Sequence, residues 1–351
     1  MNIYFLTNGL NRTAGTERVI IQLAQKLKNV KIIVPGTTQI AFSGCENLEM
    51  ISVGIGDFPV SGVFNKIRHR IAYLNKIKKM QLFDANSTVI SFAFDLNLLN
   101  IFLAKKLAFR PIICEHIEYN YHSGIRSYIR KKAYVQNNVT LVCLTETDKL
   151  KFEAENINVV TIPNFITPVD SNYNTELKQI VSIGRLEYQK NFGFLIDAFF
   201  VSKIYKSGWR LKIVGEGAEE VELQNKINEL KMEEFITIHK FTKEIEKYYS
   251  TSSLLCMTSR FEAFPMVLLE ALNYGLPVLV TDFPTGAKEI LGEGNPQIVK
   301  EFDVVSYAKA LTYLCSDDSL KLQFSADNLQ LVKKYYPKEI VASWEQLINN
   351  I

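Results

Sequence analysis

Short, continuous apolar runs alternate along this chain with longer stretches whose apolar residues recur at helical spacing. The runs expected to be strands in the first half are Ile3–Thr7, Val30–Pro35, Leu48–Val53, Thr88–Phe92, Pro111–Glu115, Thr140–Leu144 and Val159–Ile162. The second half repeats the scheme with Gln179–Ile183, Arg210–Val214, Phe235–Ile238, Leu254–Met257, Pro277–Thr281 and Gln297–Val299. A strand covered on both faces reads as an unbroken apolar run, so the pattern predicts α/β architecture with parallel, doubly wound sheets. Thr145 followed by Asp148 has the form of a helix cap with an acid three residues on. Between the halves, the stretch from Thr167 to Glu176 is polar and contains Pro168, Asp170 and Ser171. It sets a linker at 168–178 between domains at 1–167 and 179–336, with a closing helix at 337–351. A chain of 351 residues is long for one core, which agrees with two domains. Open sheets of this kind take ligands at the carboxyl ends of their strands, and two Rossmann-like domains facing across a cleft are expected.

Hydrophobic residues make up 47% of the chain and charged ones 22%, the balance of a water-soluble enzyme. Cys45, Cys114, Cys143, Cys256 and Cys315 are scattered without a Cys-x-x-Cys spacing, as expected of buried thiols in a reducing compartment. Met1–Leu6 runs directly into a strand pattern with no basic leader. The apolar stretch near 89–109 contains Asp95, Asn97, Asn100, Lys105 and Lys106, which excludes a membrane span. A cytoplasmic location follows as the expectation. Charge is uneven: residues 1–167 carry 20 Lys and Arg against 12 Asp and Glu, so the remainder carries 20 against 25. Lys66, Arg68, Arg70, Lys76, Lys78 and Lys79 interleave with Phe64, Ile67, Ile71, Leu74 and Ile77, and Arg126 with 130–132 forms a second basic run. Each is either the solvated face of an outer helix or a contact with an anionic membrane surface at the inner face of the cytoplasmic membrane. Nucleic acid is not expected as a partner.

The candidate chemistry concentrates in Ser259-Arg260-Phe261-Glu262-Ala263-Phe264-Pro265-Met266-Val267-Leu268-Leu269-Glu270. Eight residues of unbroken helix would separate the two carboxylates by about 12 Å. A break at Pro265 instead leaves Glu262 on a loop and Glu270 on the following helix. The amides of about Phe264 to Val267, Met266 included, then form a helix N-terminus that attracts anions. One phosphate-binding helix end flanked by hydroxyl acceptors suits a sugar nucleotide.

This Glu-x7-Glu segment, with Gly275-Leu276-Pro277-Val278 after it, resembles the signature of glycosyltransferase family 4, retaining enzymes of the GT-B fold. Ser182-Ile183-Gly184-Arg185-Leu186 with Lys190 resembles the family segment whose Arg and Lys hold the donor diphosphate. Ala14-Gly15-Thr16-Glu17-Arg18 resembles its glycine-rich first loop, with Ala14 in place of a glycine. Gly215-Glu216-Gly217 resembles its turn near the nucleotide, and a structural strand–turn–helix is equally consistent there. Thr285-Gly286-Ala287-Lys288-Glu289 and Phe241-Thr242 match family segments more loosely. Cys114-Glu115-His116 ends a strand where family members carry a His that reaches the donor sugar, while Glu115, Glu118 and His122 are acceptor-side candidates.

The resemblance implies transfer of a hexose or N-acetylhexosamine from a UDP-sugar to an acceptor hydroxyl. That acceptor would be a lipid-linked or polysaccharide glycan in bacterial surface polysaccharide assembly: O-antigen, lipopolysaccharide or capsule. Glu270 would hold the ribose and Glu262 the sugar, with Arg185 and Lys190 at the departing diphosphate. Glu262, His116, Arg185 and Lys190 are thus the expected catalytic set. The donor is expected to line Gly15, Gly184, Gly215, Phe264, Met266, Val267 and Glu270, and the closing helix to return to the first domain. No metal or other cofactor is expected, because Asp-x-Asp does not occur and two cations can neutralise a diphosphate. A UDP-sugar 2-epimerase and a non-catalytic sugar-nucleotide-binding protein remain alternatives.

Overall fold

The computed structural model describes residues 2–12, 15–58, 60–136, 138–300 and 302–350, so Ala14, singled out above, lies outside the described residues. The chain divides into two compact units, one comprising 1–164 with 338–351 and the other 165–337. The stretch expected to be a linker runs along the second unit. There, the Tyr173 hydroxyl donates to the Ser253 carbonyl (2.8 Å) and the Asn273 amide to the Thr167 carbonyl (2.9 Å).

The first unit has seven strands: β1 (Asn2–Leu6), β2 (Val30–Val34), β3 (Glu49–Ser52), β4 (Ser87–Ser91), β5 (Arg110–Cys114), β6 (Thr140–Cys143) and β7 (Val159–Thr161). All are parallel, in the order β3-β2-β1-β4-β5-β6-β7. Its helices are α1 (Gly15–Lys26), α2 (Val63–Met80), α3 (Phe94–Leu107), α4 (Gly124–Tyr134) and α5 (Glu146–Glu153). The expected cap is present on α5, where the Thr145 hydroxyl accepts from the Asp148 amide at 3.1 Å. Two of the five polar residues named in the 89–109 stretch turn inward, while Lys105 and Lys106 stay exposed. Asn97 and Asn100, three residues apart on α3, are both fully buried against the sheet. Asn100 donates to the carbonyls of Val89 (2.9 Å) and Ile112 (3.0 Å), and Asn97 to that of Cys114 (3.0 Å). They tie β4 to β5 through side chains, their amide nitrogens donating to carbonyls of both strands.

The second unit has six parallel strands: β8 (Gln179–Ile183), β9 (Arg210–Val214), β10 (Ile236–His239), β11 (Leu254–Met257), β12 (Val278–Thr281) and β13 (Ile298–Val299). Their order is β10-β9-β8-β11-β12-β13, so the chain reverses direction across the sheet between β8 and β11. The helices are α6 (Phe192–Ser202), α7 (Glu220–Glu229), α8 (Glu246–Ser250), α9 (Met266–Asn273), α10 (Ala287–Leu291), α11 (Val304–Ser316) and α12 (Asp318–Leu331), and the chain closes with α13 (Pro337–Asn350). Beyond Pro337, α13 groups with the first unit. Every expected strand is present, with no end displaced by more than one residue. The core of the unit joins Phe192, Leu195, Ile196 and Phe199 of α6 to Tyr307, Leu311 and Leu314 of α11 across the sheet residues Ile180, Leu211 and Ile213.

The turns leaving β8 and β9 press directly on each other. A Cβ on Gly215 would overlap the Gly184 carbonyl oxygen, and one on Gly217 would overlap that of Leu186. Backbone, not side chain, fills that space. Gly215→Ala is therefore expected to destabilise the protein by about 3 kcal/mol, the upper end of overpacking costs. A chemical denaturation midpoint matching the parent would show that the turns can separate.

Candidate functional site

In the second unit the candidate residues gather at the carboxyl ends of β8 and β11, the two strands between which the chain direction reverses. Lys190 ends the loop after β8, and Glu262 lies on the loop after β11. Their side chains meet, with Lys190 Nζ 2.5 Å from Glu262 Oε1, and both are largely buried. The Ser259 hydroxyl donates to the same oxygen at 2.8 Å. Gln189 Nε2 donates to the Phe261 carbonyl at 2.9 Å and approaches Glu262 Oε2 at 3.4 Å. The loop carrying Glu262 is pinned again by the Thr281 hydroxyl on the Ser259 carbonyl (3.0 Å) and the Thr285 hydroxyl on the Glu262 carbonyl. The Lys190 stem crosses Gly184 so closely that a Cβ there would lie 2.9 Å from Lys190 Cε. A side chain at 184 would have to push that lysine stem aside.

Pro265 is extended (φ −74°, ψ 107°), and α9 begins at Met266. The break expected between the glutamates is real: Glu262 stands before the helix and Glu270 on it. The first amides of α9, Met266 and Val267 among them, have no carbonyl one turn back and point out of the helix end. Glu270 Oε2 accepts the Tyr249 hydroxyl at 2.6 Å. Tyr249 in turn stacks on Tyr274, ring centroids 5.3 Å apart. The Phe264 ring is buried against Tyr335, which leaves its backbone as the part able to face a ligand. Gly215 borders Gly184 as described above.

Arg185 was expected to share an anion with Lys190. In this structure its guanidinium is solvent-exposed and paired with Glu187, NH1 lying 2.9 Å from Oε2. A second arginine on the Glu262 loop is bonded to the loop after β8: Arg260 donates to the Asn191 side chain (2.8 Å) and the Tyr188 carbonyl (3.2 Å). Ser259 and Arg260 lie inside the motif of Glu262, and Gln189 is next to Lys190, so nearness in sequence to those two residues could have flagged them. Tyr249 lies in no motif, and nothing in the sequence links it to Glu270.

Gly15 and His116 belong to the first unit. Gly15 opens α1. His116 follows β5, its ring 5.8 Å from that of Phe92, and burial lowers its pKa to about 4. Beside it, burial pushes the Glu115 carboxyl up to about 7 against the lowering effect of the Tyr134 hydroxyl, which donates to it at 2.6 Å. Asn97 bonds the same hydroxyl at 2.9 Å. The His122 imidazole packs on Phe94 at 4.5 Å and is held to about 4, first by burial and then by Arg130 and Arg126. Burial, with Asp148, raises the Glu118 carboxyl. Among the described residues, no group of three or more His, Cys, Asp or Glu could hold a metal ion.

Known proteins place this arrangement in a class. Residues 166–329 match the family model of glycosyl transferases group 1. The amylovoran biosynthesis glycosyltransferase AmsD of Erwinia amylovora is 28% identical over 99% of both chains. The GalNAc-alpha-(1->4)-GalNAc-alpha-(1->3)-diNAcBac-PP-undecaprenol alpha-1,4-N-acetyl-D-galactosaminyltransferase of Campylobacter jejuni is 23% identical over 100% of this chain and 99% of its own. The crystal structure of the pneumococcal O-GlcNAc transferase GtfA with UDP and GlcNAc shares the fold at a TM-score of 0.81, with 14% identity over 100% of this chain and 99% of that one. The fold is GT-B, and the chain is a glycosyltransferase whose residues 166–329 match the group 1 model.

Two consequences are measurable. The ion pair makes Lys190→Ala costly to the fold. Removing the cation strands a largely buried carboxylate, for a cost of about 2–3 kcal/mol, below that of a fully buried pair. An unchanged unfolding free energy would show that Glu262 relaxes to solvent. For Glu115, the folded state holds its proton up to about 7 while a free Glu loses it near 4.5. Between these values the folded state binds more protons, so this residue's contribution to stability falls as pH rises. Comparing Glu115→Gln with the parent isolates it from the opposing effect of the two histidines. The variant should gain up to about 3 kcal/mol relative to the parent from pH 4.5 to 7. Parallel pH curves would sink the assignment.

Proposed function

We propose that the protein is a retaining glycosyltransferase that moves a hexose or N-acetylhexosamine from a UDP-sugar to a hydroxyl of a glycan acceptor in bacterial surface polysaccharide assembly. The observation that carries this reading is the pair of fixed carboxylates about the α9 N-terminus, Glu262 held by Lys190 and Ser259, and Glu270 held by Tyr249. A helix end with outward amides favours a phosphate, and carboxylates already oriented by donors can accept sugar or ribose hydroxyls without reorganising. Glu270 is assigned to the ribose and Glu262 to the transferred sugar. Lys190 and the first amides of α9 would stabilise the departing diphosphate, with Arg185 turning from Glu187 to join them.

The reaction breaks the bond between the anomeric carbon and the UDP oxygen, whose electron pair leaves with UDP. The acceptor oxygen forms the new bond on that same face, and the β-phosphate oxygen there is the nearest base for the acceptor proton. Retention of configuration follows without a separate protein nucleophile. His116, kept neutral by its surroundings, is assigned to the donor sugar as a hydrogen-bonding partner. The GtfA structure holds UDP, and the named relatives act in polysaccharide and undecaprenol-linked glycan synthesis, which favours transfer over epimerisation or passive binding.

Isothermal titration against UDP, GDP and ADP, with their common sugars, tests the donor. UDP species should bind selectively, and Glu270→Ala should weaken them by about 10- to 100-fold, the worth of a charge-assisted hydrogen bond. Equal affinity in the variant would remove Glu270 from the ribose. Turnover insensitive to EDTA is expected if Lys190 and the helix end suffice, whereas activity restored only by a divalent cation would refute metal-free departure of the diphosphate.

A further inference from the structure

α2 carries two apolar stripes. His69, Tyr73 and Ile77 are buried and face the sheet. Val63, Phe64, Ile67 and Ile71 stand roughly opposite on the helix circumference, and all four are exposed, Phe64 at 90%. Residues 61–68 are exposed throughout, so the first turns of α2 project past the packed part of the helix. α4 repeats the pattern, with Ile125 76% and Tyr128 62% exposed. Neither helix contains an acidic residue. Arg70 is engaged with Asp95 and Lys131 with Glu155, whereas Lys66, Arg68, Lys76, Lys79, Arg126 and Lys132 show no acidic partner among the described residues.

The topology puts both stripes in one place. The crossovers β3 to β4, β4 to β5 and β5 to β6 all run the same way across the sheet. Right-handed connections therefore put α2, α3 and α4 on one face. In a parallel sheet the strands end on a single edge, so α2 and α4, each following a strand end, begin on that edge.

We propose that this rim of the first unit docks on a lipid bilayer bearing anionic headgroups, with Phe64, Ile67, Ile125 and Tyr128 entering the interfacial layer. Apolar tips among unpaired cations are the composition that such an interface selects. A second copy is a poor occupant, because the same face would bring like charges together. The surface goes beyond the donor assignment, and binding to it requires no sugar nucleotide.

Sedimentation with phosphatidylcholine vesicles, and with the same vesicles containing phosphatidylglycerol, tests this directly. Recovery should favour the anionic vesicles and fall with salt. Lys66→Gln/Arg68→Gln should lower the partition coefficient about tenfold or more. Phe64→Ser/Ile67→Ser should lower it on anionic vesicles while leaving the melting temperature and UDP-sugar binding unchanged, since these side chains contact solvent. Equal recovery on both vesicle types, or full binding by both double variants, would overturn the proposal. So would a concentration-dependent dimer that Phe64→Ser/Ile67→Ser abolishes without any vesicle dependence, since it would assign the face to a second copy.

Discussion

The ion pair between Lys190 and Glu262 is the constraint from which the rest of the second unit's site follows. It joins the loops after β8 and β11, 72 residues apart in sequence, at the point where the sheet's chain direction reverses. The lysine stem lies against Gly184 in its own loop, and the carbonyl of Gly184 excludes a side chain at 215. Ser259, Thr281 and Thr285 then fix the loop that presents the carboxylate. The glutamate is oriented before any ligand arrives, which spares the entropy of ordering it at the moment of binding.

The first unit reaches rigidity by another route. The end of β5 is held by a chain of buried polar groups: Ser91 to Asn97, Asn97 to Tyr134, and Tyr134 to Glu115. Such a network contributes only when every member is satisfied, and it then specifies one arrangement. Glu115 terminates it with a carboxyl that keeps its proton near neutral pH, and His116 follows directly in a site that keeps the imidazole neutral. Adjacent residues of one strand end are thus both biased away from charge by the same loss of water.

What the sequence made legible divides by the range of the interaction. Strands such as β4 and β6 are buried along their whole length, so their apolar runs were readable, with only the ends shifting where ladder bonds give way to turns. The Pro265 break and the Thr145 cap are local and were also readable. Asn97 and Asn100 were visible as polar residues in an apolar stretch, but their partners are carbonyls on other strands, and no periodicity reports those. Glu262 and Lys190 were each identified through resemblance, yet their mutual contact was not, and Lys190 was expected to face only a ligand. Arg185, which its motif sets beside Lys190 at an anion, pairs with Glu187 here, a contact its sequence position did not announce. Tyr249 was invisible because a single tyrosine on a short helix has no pattern.

The five cysteines are all buried, and burial raises every one of their thiols, Cys143 and Cys256 to about 12. Thiolate, the reactive form, is scarce at such positions. The folded protein is thereby silent towards maleimides and other thiol reagents. A cysteine introduced on the exposed first turn of α2 would be the lone reactive one, and a fluorophore there could report solvent polarity without first removing any native residue.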